Sequence, residues 1–284
     1  MKLLTGSLAL VALTLPTLGQ INKPPASPRA RLRQQVGLAN VELDYGRPGG
    51  KGREIFGSLE PYGRVWRTGA NASTKITFDR TVQFAGESVP PGTYALYTIP
   101  DEQRWTVILS KNTQLWGAGG YDPAQDLLRI NVPVLLFTEQ QETLCIDFER
   151  FHANGADLYI RWADVKIRVP VFVDTDEEIL KEIDEKLLGD ASDISAQTYF
   201  DAAMFFYEKQ LDLAQASEWM DAAIELSPTS FWVIYFRAEL ALSVGDTELA
   251  AQRANQALKL ATESKAGDFG YIAKSRLLLA RLDE

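Results

Sequence analysis

The sequence predicts an all-β antiparallel sandwich or jelly-roll-like domain followed by an all-α helical-repeat domain. Three observations carry this reading. Up to Val173, eight or nine short strand signals recur at spacings near 10 residues. No helix of convincing length lies between them, which disfavours a βαβ fold. Beyond Val173 the hydrophobic period becomes helical and a 34-residue recurrence begins.

The elements follow in order. "QINKPPASPRA", residues 20–30, is rich in proline and small residues and reads as an extended leader. "VGLANVELDYGRP" is a β run ended by Gly and Pro. In "KITFDRTVQF", Ile76, Phe78, Val82 and Phe84 share one parity, the pattern of a half-buried strand pair. "ESVPPGTYALYTIP" gives a Pro-Pro-Gly turn followed by a strand over 94–99. "RWTVILSK" places Trp105, Val107 and Leu109 on one face. "QETLCIDFERF" and "ADLYIRWADVKIRVPVFV" are joined by "HANG", whose Asn154-Gly155 step suits a type I′ hairpin turn. The β domain is thus expected over 31–173.

The tail is expected over 176–284. "DTDEEILKEIDEKLL" carries a stripe at positions 179, 180, 183, 187 and 188, with acidic residues in its first turn. Ala216 and Ala223 recur as Ala250 and Ala257, each 34 residues on. That is the period of tetratricopeptide helix pairs, whose small residues let helices pack closely. The units are expected over 197–230 and 231–264, closed by a helix over 268–283. Gly245 sits at a turn where the first unit has Leu211.

The chain has 284 residues, 46% hydrophobic and 24% charged, enough for two modest domains with real cores. Net charge is −9, and from Asp176 onward 21 acidic residues face 10 basic ones. An acidic tail repels phosphate, so nucleic acid is not an expected partner. Lys2, the 13-residue apolar run Leu3–Leu15, and small Thr17 and Gly19 read as a signal peptide over 1–19, with Gln20 the first mature residue. The run is too short for a comfortable membrane span, so no transmembrane segment is expected. The protein is read as exported, periplasmic or extracellular; a cytosolic chain with an apolar N-terminal helix is the alternative.

Cys145 is the single cysteine and His152 the single histidine. One thiol forms no internal disulfide, and the pair is too few for a zinc site, so no metal and no cofactor are expected. A Ser-His-Asp triad lacks its G-x-S-x-G elbow. Calcium held by loop oxygens and a converging carboxylate pair stay open.

The densest candidate stretch is "PYGRVWRTGAN", residues 61–71. Pro61 and Gly63 suit a type I turn starting at Glu60, followed by a strand from Arg64. Trp66 would share a face with Arg64 and Thr68, and Arg67 the face of Val65. Two readings stand. Arg67 forks to a carboxylate or loop carbonyls and pins turns together, or Arg64, Trp66, Arg67, Thr68 and Asn71 receive an anion or sugar, with Trp66 as a platform. "LWGAGGYD", residues 115–122, is the second candidate. Trp116 and Tyr121 flank a Gly-rich loop and would either stack on sugar rings or cover the sandwich end. "GRPGGKGRE" reads as a mobile basic loop, not a phosphate loop.

"KGREIFGSLEPYGRVWRTGANASTKITF", with "VPPGTYALYTIP", "WTVILSKN" and "LWG", resembles the bacterial domain of unknown function 2911 family, over about Arg29 to Val173. The resemblance implies an exported β-sandwich of unassigned activity, in some members with a helical tail, and brings no catalytic or binding residues. The leading expectation is a non-catalytic ligand-binding or scaffolding module of the bacterial envelope. A glycan or small anion would bind the β domain, and a protein partner the helical tail. The alternative is an enzyme on an envelope or extracellular polymer, using a carboxylate such as Asp44 or Glu54 near the Arg-Trp strand.

Overall fold

The computed structural model describes residues 23–189 and 193–282. It divides into two compact units, with the boundary between Thr175 and Asp176. The signal-peptide reading of residues 1–19 lies outside the described residues.

The first unit is all-β: β1 (Arg29–Val36), β2 (Ala39–Gly46), β3 (Thr74–Phe78), β4 (Val82–Phe84), β5 (Glu87–Val89), β6 (Gly92–Ile99), β7 (Arg104–Ser110), β8 (Asp126–His152) and β9 (Gly155–Phe172). Among the described residues these form one antiparallel sheet in the order β1-β2-β3-β6-β7-β8-β9-β4-β5. The long β8 joins the two halves. It pairs with β7 as far as Pro133 and with β9 from Val134 onward. An antiparallel β domain ahead of a helical one is the predicted class.

Alternation builds the core. Val41, Leu43 and Tyr45 of β2, Ile76 and Phe78 of β3, and Trp105, Val107 and Leu109 of β7 all point inward and are buried. Ile76, Phe78, Val82 and Phe84 are buried as their parity requires, but β3 and β4 do not pair. β3 lies between β2 and β6, whereas β4 lies between β9 and β5. The rings of Phe78 and Phe84 meet edge-on at 6.1 Å, so the two strands contribute to the core from different parts of the sheet.

A smaller cluster forms on the other face of the sheet. Ala95 and Tyr97 of β6 and Ile108 of β7 are fully buried there beneath Val65, Leu115, Ala118 and Tyr121. The Gly-rich loop therefore covers this part of the outer face.

Two turns differ from their sequence reading. The β8–β9 hairpin turns on Ala153 and Asn154, between the paired His152 and Gly155, and neither turn residue has positive φ. The left-handed residue is Arg150, at φ 56°, where the ladder shifts register between Glu149 and His152. In "PYGR" the Arg64 amide donates to the Pro61 carbonyl, so the turn starts one residue later than expected. Gly63, at φ 71°, takes the third position of a type II turn, which needs that left-handed backbone.

The second unit is all-α: α1 (Thr175–Ile183, whose first residue is the last of the β unit, continued by a π turn over Asp184–Leu188), α2 (Ala196–Glu208), α3 (Leu213–Leu226), α4 (Phe231–Ser243), α5 (Thr247–Glu263) and α6 (Tyr271–Leu282). Ala216, Ala223, Ala250 and Ala257 are all 0% exposed, as close helix packing demands. Asp212 and Asp246, also 34 residues apart, cap α3 and α5 by accepting from amides of their first turns. The left-handed turn residue before α5 is Gly245; its counterpart before α3 is Gln210 rather than Leu211. In α1, Ile179 and Ile183 join the helical core, while Leu180 is exposed and leaves the stripe. The last helix starts at Tyr271, after left-handed Phe269 and Gly270.

Candidate functional site

"PYGRVWRTGAN" is not a regular strand. Its single β-bridge joins Trp66 to Thr98, and Gly63 donates to the Pro100 carbonyl. The segment thus takes over the edge of β6 where β3 ends. Trp66 faces the core at 3% exposure, stacked on Trp162 at 5.7 Å and edge-on to Phe56 and Trp105. It is a core ring and not an exposed platform. Thr68 is also fully buried, with φ 52° and its hydroxyl 3.1 Å from that of Thr98. Arg64 is exposed.

Arg67 lies half-buried beside Gly117, whose Cβ would sit 3.3 Å from the guanidinium. Its Nε has no hydrogen-bond partner among the described residues, so the expected fork onto a carboxylate or carbonyl is not formed through that atom. Its neighbour in charge is Glu60. Burial pushes the Glu60 carboxyl up to about 7, against the opposing pull of Arg67 and Arg53. Sequence reasoning used Glu60 only as a turn residue. Nothing in the residue pattern marks a glutamate at a loop as half-buried.

The basic loop over 46–54, expected to be mobile, is tied down. The Gly50 amide and Arg47 Nε donate to the Glu142 and Leu144 carbonyls, and Arg53 donates to Gly49 and Gly50. Arg47 and Arg53 therefore spend donors on main-chain oxygens.

The two candidate stretches come together. Ser73 donates its amide to the Leu115 carbonyl, and Tyr97 donates its hydroxyl to the Gly117 carbonyl. Beside this junction lies a cavity of about 290 Å³ whose lining includes Arg29, Asp44, Asn71, Ser73, Lys75 and Trp116. Its wall depends on Gly46. A Cβ there would lie 2.2 Å from the Ala70 carbonyl oxygen, so only glycine lets the 70–73 segment approach β2. Asn71 holds left-handed backbone at φ 67°, a conformation asparagine tolerates better than most residues.

The charges in this cavity are ordered. Asp44 accepts from Arg29 and, at 3.2 Å, from Arg31, and the Arg29 hydrogen bond holds its carboxyl below the usual range. Burial lowers the Lys75 ammonium, with Asp44 pulling it back up. Lys75 Nζ donates to the Ser73 carbonyl at 2.9 Å. Trp116 is 76% exposed, the most exposed large apolar side chain among the described residues. Tyr121, its partner in the loop, is instead engaged. Its ring packs edge-on to Tyr97 at 5.1 Å, and its hydroxyl bonds Asp126 and Arg129 at 2.6 Å. Burial, then the Asp126 hydrogen bond, pushes the phenol up to about 12. Tyr121 covers the sheet, and Trp116 is left facing solvent.

The proposed enzyme carboxylates are not paired. Asp44 lines the cavity just described, while Glu54 lines another with Arg53, Tyr62 and Asp101. Asp44, held ionised by arginine, cannot donate a proton near neutral pH. Among the described residues, no group of three or more His, Cys, Asp or Glu side chains is placed to hold a metal ion. No described helix is long and apolar enough to cross a membrane.

No curated protein matches the chain. Among solved structures, the crystal structure of PcrH from Pseudomonas aeruginosa is similar at 18% identity and a TM-score of 0.32, covering 39% of this chain and 79% of that one. A family model described as Protein of unknown function (DUF2911) matches residues 27–171, half of the chain, where the nine strands and the Trp116 cavity lie. The chain belongs to that family.

Proposed function

We propose that this is a non-catalytic binding protein of the bacterial envelope, whose β unit takes an acidic sugar in the Trp116 cavity. One observation carries the reading. A 76% exposed indole stands at a cavity that also offers Arg29, Lys75, Asn71 and the carboxylate of Asp44. Sugars present apolar C–H faces that stack on aromatic rings, and hydroxyls that pair with amides and carboxylates. The two cations would receive the ligand's negative charge. Export rests on the signal-like run at the N-terminus.

The helical unit would add a protein-binding surface. Its own groove, of about 520 Å³ between α1 and α2, has an apolar floor including Ile183, Met204 and Phe205.

The test is a thermal-shift series on the whole protein with neutral and uronic-acid oligosaccharides. An upward shift specific to the acidic set, lost in Trp116→Ala while its unliganded Tm stays unchanged, supports the proposal. A shift retained in Trp116→Ala, or none with any sugar, refutes it.

A further inference from the structure

A second polar cavity lies at the far end of the β8–β9 hairpin, in the same unit. It measures about 370 Å³ and is lined by Arg150, Phe151, His152, Asp157 and Arg168. Three backbone features build it. The left-handed Arg150 and the register shift beside it break the strand's alternation, so consecutive residues line one cavity. Gly155 lacks the side chain that would strike the His152 ring at 2.8 Å. β9 itself doubles back, with left-handed Ala163 midway along it and the Val171 carbonyl against Gly155, which brings Arg168 to Asp157.

Asp157 is 5% exposed, and its Oδ2 receives Arg168 Nε at 2.7 Å and faces Arg150 Nε at 3.5 Å. The buried carboxylate thus orients the Arg168 guanidinium through its Nε edge and draws the more exposed Arg150 into an ion pair at the same oxygen. Their Nη groups donate to no acceptor among the described residues. Two guanidinium groups against one carboxylate leave a net positive charge, with the His152 imidazole beside them. A fixed Arg168 fork with the Arg150 guanidinium beside it suits planar or tetrahedral oxyanions. Phe151, 54% exposed, supplies an open aromatic face at the same cavity.

We propose that the Arg150–Arg168 cavity is a second ligand site, which takes a phosphate monoester carried on a ring. The phosphate oxygens would meet the Nη groups of Arg150 and Arg168, and the ring would lie on Phe151. Asp157 is a positioning residue that never meets the ligand. The site is independent of the Trp116 cavity and shares no lining residue with it.

His152 provides the reporter. As the only histidine of the chain, it gives a single ring C2–H proton resonance. The whole protein would be titrated with inorganic phosphate and with phenyl phosphate, at fixed pH and at ionic strength held constant with sodium chloride. The proposal predicts a saturable shift with both, and several-fold tighter binding of phenyl phosphate. Arg150→Ala, which leaves the Arg168–Asp157 pair in place, should weaken both at least tenfold. Phe151→Ala should erase only the phenyl advantage, and Trp116→Ala should change neither. A non-saturating drift equal to that of chloride overturns the proposal. So does saturable binding that Arg150→Ala leaves intact.

Discussion

Glu60→Gln is expected to stabilise the β unit, and to do so only above acidic pH. In the unfolded chain the carboxyl ionises near 4.5; in the folded protein it is pushed up to about 7 by burial. Between those values the native state keeps a proton that the unfolded state has released. The contribution of Glu60 is therefore fully present below pH 4.5 and is lost as pH rises through about 7. The interval is about 2.5 pKa units, at most ~3.5 kcal/mol at ~1.4 kcal/mol per unit; Glu60 is only half-buried, so solvent screening brings the stability lost by pH 8 to about 1–2 kcal/mol. Glutamine keeps the shape and stays neutral. The variant should match the parent near pH 4.5 and exceed it by about 1–2 kcal/mol at pH 8. Urea unfolding across pH 4.5–8, followed by tryptophan fluorescence, measures this, since Trp66, Trp105 and Trp162 all lie in the β core. Asp44, Asp79 and Glu149 have lowered values and act in the opposite direction, losing stability as pH falls. They are common to both proteins and cancel in the difference. Parallel profiles for parent and variant would refute the assignment of a half-buried, proton-holding Glu60.

Other outcomes follow from the same packing. Trp66→Ala removes a ring packed against Trp162, Phe56 and Trp105, and should cost about 3–5 kcal/mol in urea unfolding. Ala257→Leu forces a larger side chain into a fully buried helix contact and should cost about 1–3 kcal/mol, read as a lower helical melting temperature by circular dichroism. Arg31→Ala touches an exposed ion pair that Arg29 also serves, so its change in stability should stay within about 1 kcal/mol. Gly46→Ala would drive a Cβ into the Ala70 carbonyl; it should lower the melting temperature and displace the cavity wall, seen as amide shifts over 69–73.

What the sequence disclosed depended on the range of the physical signal. Strand alternation is local, so the inward positions of Trp105, Val107 and Leu109 were readable, as was the burial of Ile76 and Phe84. Pairing is not local, and adjacency in "KITFDRTVQF" suggested a pair where the chain in fact crosses to another part of the sheet. The alanine recurrence was legible because close helix packing admits few other residues there. In "PYGRVWRTGAN", period-2 logic placed Trp66 and Thr68 on one face, and both are buried. The same logic placed Arg64 with them, but it lies in the turn and is exposed. The meeting of Asn71 with Trp116 depends on loop-to-loop hydrogen bonds that no periodicity encodes. Glu60 was missed for a similar reason: its burial is set by how its loop folds against the unit, not by its neighbours in sequence.

The central claim is that Trp116 receives the ligand of the β unit, and fluorine NMR tests it most directly. The chain has six tryptophans, so protein labelled with 5-fluorotryptophan gives six resonances, with Trp116 assigned by Trp116→Phe. On titration with uronic-acid oligosaccharides, the Trp116 resonance should move saturably and furthest, while those of buried Trp66, Trp105 and Trp162 stay nearly fixed. Saturable binding that leaves the Trp116 resonance in place would contradict the claim.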